Sequence, residues 1–203
     1  PYSVIGEPTS LRVVHAHKGI CKLKITSHGK AAHSSTRDGL NANLAMIPFL
    51  QDLKQIYDET EEIVALQNQD FDPPTLSWNI GLNDHTAAIN VKPARSTCTV
   101  FYRPLPNIDD LPLIQRVRSA AADYGLDFAP PKRCDAMYTD PQNPFVTAAL
   151  GVAGQKKAET VSYGTDGGML QELQHKIVCG PGSIAQAHTT DEWIATEQLA
   201  SGT

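Results

Sequence analysis

The sequence predicts a mixed α/β protein in two parts: a ferredoxin-like α+β sandwich over residues 11–134, and an α/β layer in residues 135–203. Three observations predict it. Apolar and polar residues alternate with period two in ICKLKIT (20–26), and apolar residues then recur at helical spacing at Leu40, Leu44, Ile47, Leu53 and Ile56. From residue 143 onward, short strand-like and helix-like runs take turns, which is the pattern of an α/β layer.

Taken in order, ICKLKIT turns Cys21, Leu23 and Ile25 inward and leaves Lys22, Lys24 and Thr26 on a wet face. The following helix has Asp38 or Asn41 available as N-cap, and Pro48 predicts a kink or a late start. TLSWNIGL (75–82) and TCTVFYR (97–103) are rich in strand-forming residues. DDLPLIQRVRSAAADY (109–124) carries acids in its first turn, apolar Leu111, Ile114, Val117 and Ala121, and a stop at Gly125, so it reads as a helix. A short strand at LDF (126–128) completes strand, helix, strand, strand, helix, strand, the split βαβ order of a ferredoxin-like sandwich. Beyond it, 143–154, 166–174 and 191–199 read as helices, and 159–163 and 176–180 as strands. So few strands build half of a parallel layer, and an uncovered apolar face on residues 135–203 is therefore expected.

Bulk properties exclude several functions. The 203 residues carry 17 Lys and Arg against 22 Asp and Glu, a formal charge of −5 without long runs of one sign, so nucleic acid is not an expected partner. No stretch approaches the roughly 18 apolar residues of a membrane helix. Cys21, Cys98, Cys134 and Cys179 form no Cys-x-x-Cys pair, which fits a reducing, cytoplasmic setting. The chain opens on Pro1 and its last helical run stops abruptly, so it reads as a piece of something longer.

Several residues are candidates for chemistry. His188, in GPGSIAQAHTTDEW, follows a predicted strand, where α/β proteins build their sites; it is either a surface loop histidine or a metal ligand. Glu7, in VIGEPTS, sits at another strand end. A carboxylate and an imidazole suit a divalent metal, yet a catalytic zinc takes three protein ligands. His33 lies in a Gly- and Ser-bearing loop between strand and helix. His15 and His17 alternate on a probable strand and read as buried histidines before they read as ligands. Glu61-Glu62 belongs to a charged, solvated stretch, and Gly167-Gly168 lacks the spacing of a phosphate loop.

Read together, GEPTS (6–10), GKAAHSS (29–35), AINVKP (88–93) with FYRPLP (101–106), SYGTDGGML (162–170) and GPGSIAQAHTTDE (180–192) resemble one family in motif order. It is the dinuclear zinc deacylases and peptidases, which include acetylornithine deacetylases, succinyl-diaminopimelate desuccinylases and carboxypeptidase G. The last motif is nearest the acetylornithine deacetylases.

The resemblance implies the C-terminal part of a zinc-peptidase-like three-layer α/β catalytic domain, with a ferredoxin-like lid for homodimerisation inserted at 11–134. It implies that Glu7 ligates one zinc and His188 the other, with Co or Mn able to replace Zn, and that Asp191 or Glu192 orients His188. By the same resemblance His33 reaches a neighbouring subunit's site to stabilise an oxyanion. Asn90 and Arg103 would hold the substrate's α-carboxylate, and Gly164 and Thr165 would line the pocket. The expected reaction is removal of the acyl group from an N-acyl amino acid, N-acetylornithine first. A desuccinylase, aminoacylase or dipeptidase, or a non-catalytic dimerisation fragment, is the alternative. The family's upstream His-x-Asp motif, bridging Asp and general-base Glu-Glu pair have no counterpart in these residues, so the chain alone is expected to be inactive.

Overall fold

The computed structural model describes residues 1–202. In chain order the elements are β1 (Tyr2–Ile5), β2 (Val14–His17), β3 (Ile20–His28), α1 (Asn43–Glu62), β4 (Asn79–Asn83), β5 (Arg95–Tyr102) and α2 (Leu111–Asp123). Then come β6 (Asp127–Phe128), β7 (Lys132–Cys134), β8 (Met137–Tyr138), α3 (Pro144–Ala153), β9 (Glu159–Val161), β10 (His175–Val178) and α4 (Thr196–Ser201).

Two sheets result. The second is ordered β4-β5-β3-β6, with β7 also on β3, and every one of its pairings is antiparallel. Joined by α1 and α2, these strands make the expected ferredoxin-like sandwich. Alternation in β3 decides which face is covered: Cys21, Leu23 and Ile25 meet Cys98, Val100 and Tyr102 of β5, and on them pack Met46, Phe49 and Leu53 of α1 and Leu113, Ile114 and Val117 of α2. Pro48 neither delays nor ends α1, which starts at Asn43 with Asn41 Oδ1 accepting from Asn43 N at 2.9 Å and runs to Glu62. Gly125, at φ +63°, ends α2 as expected.

The first sheet is ordered β1-β10-β2-β8, with β9 also on β2. It is mixed: β1–β10 and β2–β9 are parallel, while β2 runs antiparallel to β10 and β8. β2 belongs to this sheet, so the chain crosses from it to the second sheet at the Lys18-Gly19 step. The lid's exit is at Asp135-Ala136, between β7 and β8. The two crossings touch, since a Cβ on Gly19 would stand 2.5 Å from Cys134 O and 2.8 Å from Ala136 N. α3 covers one face of the sheet, packing Val146 on Val13, Ala158 and Ile177. Tyr138, Val152, Met169, Trp193, Ile194 and Leu199 are exposed apolar side chains of this half, as are Tyr2 and Val4 on β1.

Three expected elements are shorter than their sequence pattern, each for a tertiary reason. Residues 75–78 are not strand: Ser77 sits at φ +53°, off the extended path, so β4 begins at Asn79. The helix expected over 166–174 shrinks to a 3₁₀ turn at Asp166–Gly168. Lys176 Nζ takes the carbonyls of Gly167 and Leu170 at 3.0 and 2.9 Å, acceptors that a continuing helix would use itself. The helix expected over 191–199 starts only at Thr196, because Ala195 is extended and Glu192 is engaged with the loop before it.

Candidate active site

β1 and β10 lie side by side and parallel, Ile5 opposite Val178, so the loops leaving their C-terminal ends set out together. Those loops are laced to one another. Thr9 N and Leu11 N donate to Gly180 O at 3.2 and 2.9 Å, Ser10 N to Gly182 O at 2.7 Å, and Gly180 N to Thr9 Oγ1 at 3.1 Å. Position 180 needs glycine, because a Cβ there would stand 2.6 Å from Glu7 O. The GEPTS and GPGS motifs therefore touch, with half-buried Glu7 on one loop and exposed His188 on the other. His188 takes φ +62°, and its backbone N–H donates to the Glu192 carboxylate at 3.2 Å. Glu192 thus holds the backbone of His188, and Asp191 is exposed. Beside Glu7, the residues Pro8, Pro181, Trp193 and Ile194 line a hollow together with Ser183, Gln186 and Glu192.

A carboxylate with an imidazole is a donor set that suits a divalent metal. Among the described residues no three His, Cys, Asp or Glu side chains converge on one point. Two donors fall short of the three protein ligands usual at catalytic zinc, so the chain's own residues fit part of such a centre.

A second group gathers where the sheets meet. A Cβ on Gly164 would lie 3.3 Å from Arg103 Nη1 and 3.2 Å from Lys18 O, so the guanidinium rests against bare backbone. Arg103 is half-buried, 5.1 Å from the Phe101 ring centroid, and has no ion-pair partner among the described residues. Burial holds its pKa below the ordinary arginine value. Thr165, next along, accepts from Gly167 N at 3.1 Å and keeps its hydroxyl proton free to donate. His17 has its pKa held below the ordinary histidine value, first by burial and then by the charges of Lys176 and Arg103. Its Nδ1 faces Lys18 O at 2.8 Å and so carries the proton. The Arg103 guanidinium is thus half-buried and carries its charge without a carboxylate partner among the described residues.

His33 and Asn90 form a third group. The loop bearing His33 is paired with the loop before β5: Ser34 N donates to Asn90 O and Lys92 N to Ala32 O, both at 2.9 Å, and His33 bridges to Val91. Ser35 N donates to His33 Nδ1 at 3.3 Å. An amide N–H can only donate, so the neutral ring keeps its proton on Nε2, which is exposed and directed away from its own loop's bond. His33 and Asn90 lie at one end of β5 and Arg103 at the other. The eight residues of β5 span roughly 25 Å, so one chain does not bring Asn90 to Arg103.

Motif reading missed two sets of residues. Lys18 is fully buried and holds a lid loop, yet HAHKGI carries no signal for it. Asp110, expected only as a first-turn acid, is buried and takes Tyr102 OH at 2.6 Å and Arg133 at 2.8 and 3.0 Å. The apolar run TCTVFYR, which puts a tyrosine hydroxyl inside a core, was the one available hint.

Comparison with known proteins follows this division. Residues 15–128 match the peptidase dimerisation domain. Curated relatives are acetylornithine deacetylases, among them that of Myxococcus xanthus, 29% identical over 98% of this chain and 54% of the relative. That of Vibrio cholerae serotype O1 is 34% identical over 97% of this chain and 53% of the relative. The chain therefore spans about half the length of the curated relatives it matches. Among solved structures, an aminopeptidase from Bacillus cereus superposes with TM-score 0.68 at 15% identity, over 99% of this chain and 54% of that one. An M20 family metallo-carboxypeptidase from Sulfolobus solfataricus gives 0.65 at 14% identity, over 99% and 60%. At such identities these two speak for the fold.

Proposed function

The chain belongs to the M20 peptidase family, whose dimerisation domain it carries, and from that premise we propose that the whole protein is a zinc-dependent amidohydrolase acting on N-acyl amino acids, N-acetylornithine first among them. The observation that carries this reading is the lacing of the Glu7 loop to the loop that leads to His188, at the ends of two adjacent parallel strands. It puts a carboxylate-bearing and an imidazole-bearing loop at one rim, and the remaining ligands and the general base come from sequence outside these residues.

A metal held in part by Glu7 and His188 supplies Lewis-acid polarisation of the scissile carbonyl when bound. Arg103 grips the substrate's α-carboxylate bidentately, with Gly164 backbone at its flank and the Thr165 hydroxyl as a neighbouring donor. His33, its proton already on Nε2, donates to the carbonyl oxygen as charge develops there, a contact typically worth about 2.7–4 kcal/mol of barrier. Asn90 stands beside His33 and donates from the same side. Because β5 keeps these two away from Arg103, they serve the site of a second copy. The reading therefore includes a homodimer joined through the lid, working on a small molecule in the cytoplasm.

Its test is His188→Ala in the full-length protein. Hydrolysis of N-acetylornithine should disappear and about one metal per subunit should be lost, since each metal depends on few protein ligands. Undiminished turnover would overturn the assignment.

A further inference from the structure

Lys18 occupies the step between the two sheets with 0% of its surface exposed. Its ammonium donates to Pro73 O and Thr75 O, both at 2.7 Å, and to Ser77 Oγ at 2.9 Å. All three donors are used, and among the described residues no carboxylate pairs with the charge. An ammonium buried without a counter-ion is costly to keep. Burial pulls its pKa down to about 8, so the lysine is an expensive way merely to fasten a loop.

What it fastens is segment 70–77, and that segment has two further attachments. From the first sheet's side, Thr160 Oγ1 donates to Asp70 O, and Ser162 Oγ donates to Asp72 O at 2.7 Å. Both hydroxyls belong to the strand and turn that lead directly into Gly164 and Thr165. From the lid's side, Arg103 N donates to Leu76 O at 2.6 Å. Phe71 and Leu76 anchor the segment in the lid core. One short stretch of backbone therefore bonds at one end to the wall made by residues 160–165 and at the other to Arg103, with the Lys18 ammonium between.

We infer that residues 70–77 are a strap holding the two walls of the Arg103–Gly164 anion pocket in register, and that Lys18 is the positioning residue at its centre. The inference rests on the proposed carboxylate-binding role of Arg103. Lys18 does not touch the ligand; it acts through Leu76 O on the backbone of Arg103, and through Asp70 and Asp72 on the opposite wall.

The experiment compares the wild-type chain with Lys18→Met, with the double variant Thr160→Val and Ser162→Ala, and with Arg103→Ala. Amide hydrogen exchange is read at Arg103 and at 160–164, and N-acetylglycine, a minimal N-acyl amino acid, is titrated by amide chemical shifts. In Lys18→Met the Arg103 amide and the 160–164 amides should exchange at least roughly tenfold faster, with Leu23 and Val100 in the lid sheet unchanged. N-acetylglycine should bind roughly tenfold more weakly, as expected when a receptor loses its preorganisation. The double variant removes only hydroxyls on half-buried residues and should loosen the same amides; if Lys18→Met does not fold, it decides alone. Unchanged exchange at Arg103 in a folded strap variant overturns the strap. Faster exchange in the strap variants, with no N-acetylglycine binding even by wild type, upholds the strap and refutes the carboxylate role of Arg103. Binding lost in Arg103→Ala but intact in both strap variants does the reverse.

Discussion

If Arg103 and His33 serve one reaction from two chains, their loss should be rescued by mixing. Take full-length protein with Arg103→Ala and, separately, with His33→Ala. Each homodimer lacks one function in both sites, and the loss of an oxyanion donor alone is worth about a hundred- to a thousandfold in kcat. In a heterodimer the two defects fall on the same site, where Arg103→Ala comes from one chain and His33→Ala from its partner. The other site then has Arg103 and His33 both intact. The trans arrangement rests on the roughly 25 Å length of β5, which keeps the two functions from meeting within one chain. Random reassortment of an equal mixture should return about one quarter of wild-type turnover, since half of the dimers form with one whole site out of two. The assay is release of acetate from N-acetylornithine after co-refolding. A mixture no better than its inactive parents would refute the trans arrangement and leave His33 without a catalytic part.

Three further outcomes are expected. Asp110→Ala strands the partly buried Arg133 guanidinium and the Tyr102 hydroxyl together, and should cost about 3–5 kcal/mol in urea unfolding; a loss below roughly 1 kcal/mol would mean that the cluster contributes little. Gly180→Ala drives a methyl against Glu7 O, where only 2.6 Å is available, so full-length protein carrying it should stay folded by circular dichroism but retain less metal by atomic emission. Lys18 binds its proton less tightly when folded, its pKa falling from 10.5 to about 8. Between those pH values the unfolded chain holds a proton that the folded chain has released, so this group makes stability rise with pH. Wild type should gain on Lys18→Met from pH 8 to pH 10 in parallel denaturant titrations; a constant difference would contradict the assigned pKa.

Local pattern carried most of the lid. β3, β5, α1 and α2 bury the residues their periodicities mark, because period two and period 3.6 are set by the backbone itself. Failures came where a distant group outbid the local preference. Ser77 leaves the extended path at φ +53° as its hydroxyl accepts from Lys18, and the run after Thr165 gives carbonyls to Lys176. Neither lysine announces this in its neighbourhood. Residues 14–17 alternate as a strand should, but the sheet they join depends on β8, β9 and β10, all far along the chain. The site divides in the same way. Glu7 and His188 stand in recognisable motifs whose lacing the strand order then explains. That His33 and Arg103 lie at opposite ends of one strand is a matter of length, visible only once β5 is seen to run unbroken between them.

The contact of Gly19 with Cys134 and Ala136 means that the chain leaves the first sheet and comes back to it through a single doorway. A module whose two ends share an address can be excised or grafted without stretching its host. Replacing residues 19–135 by a short glycine linker should leave β2 and β8 able to pair as they do now, and the excised module could be exchanged between hosts. The loops that carry Glu7 and His188 lie outside that doorway and stay with the host.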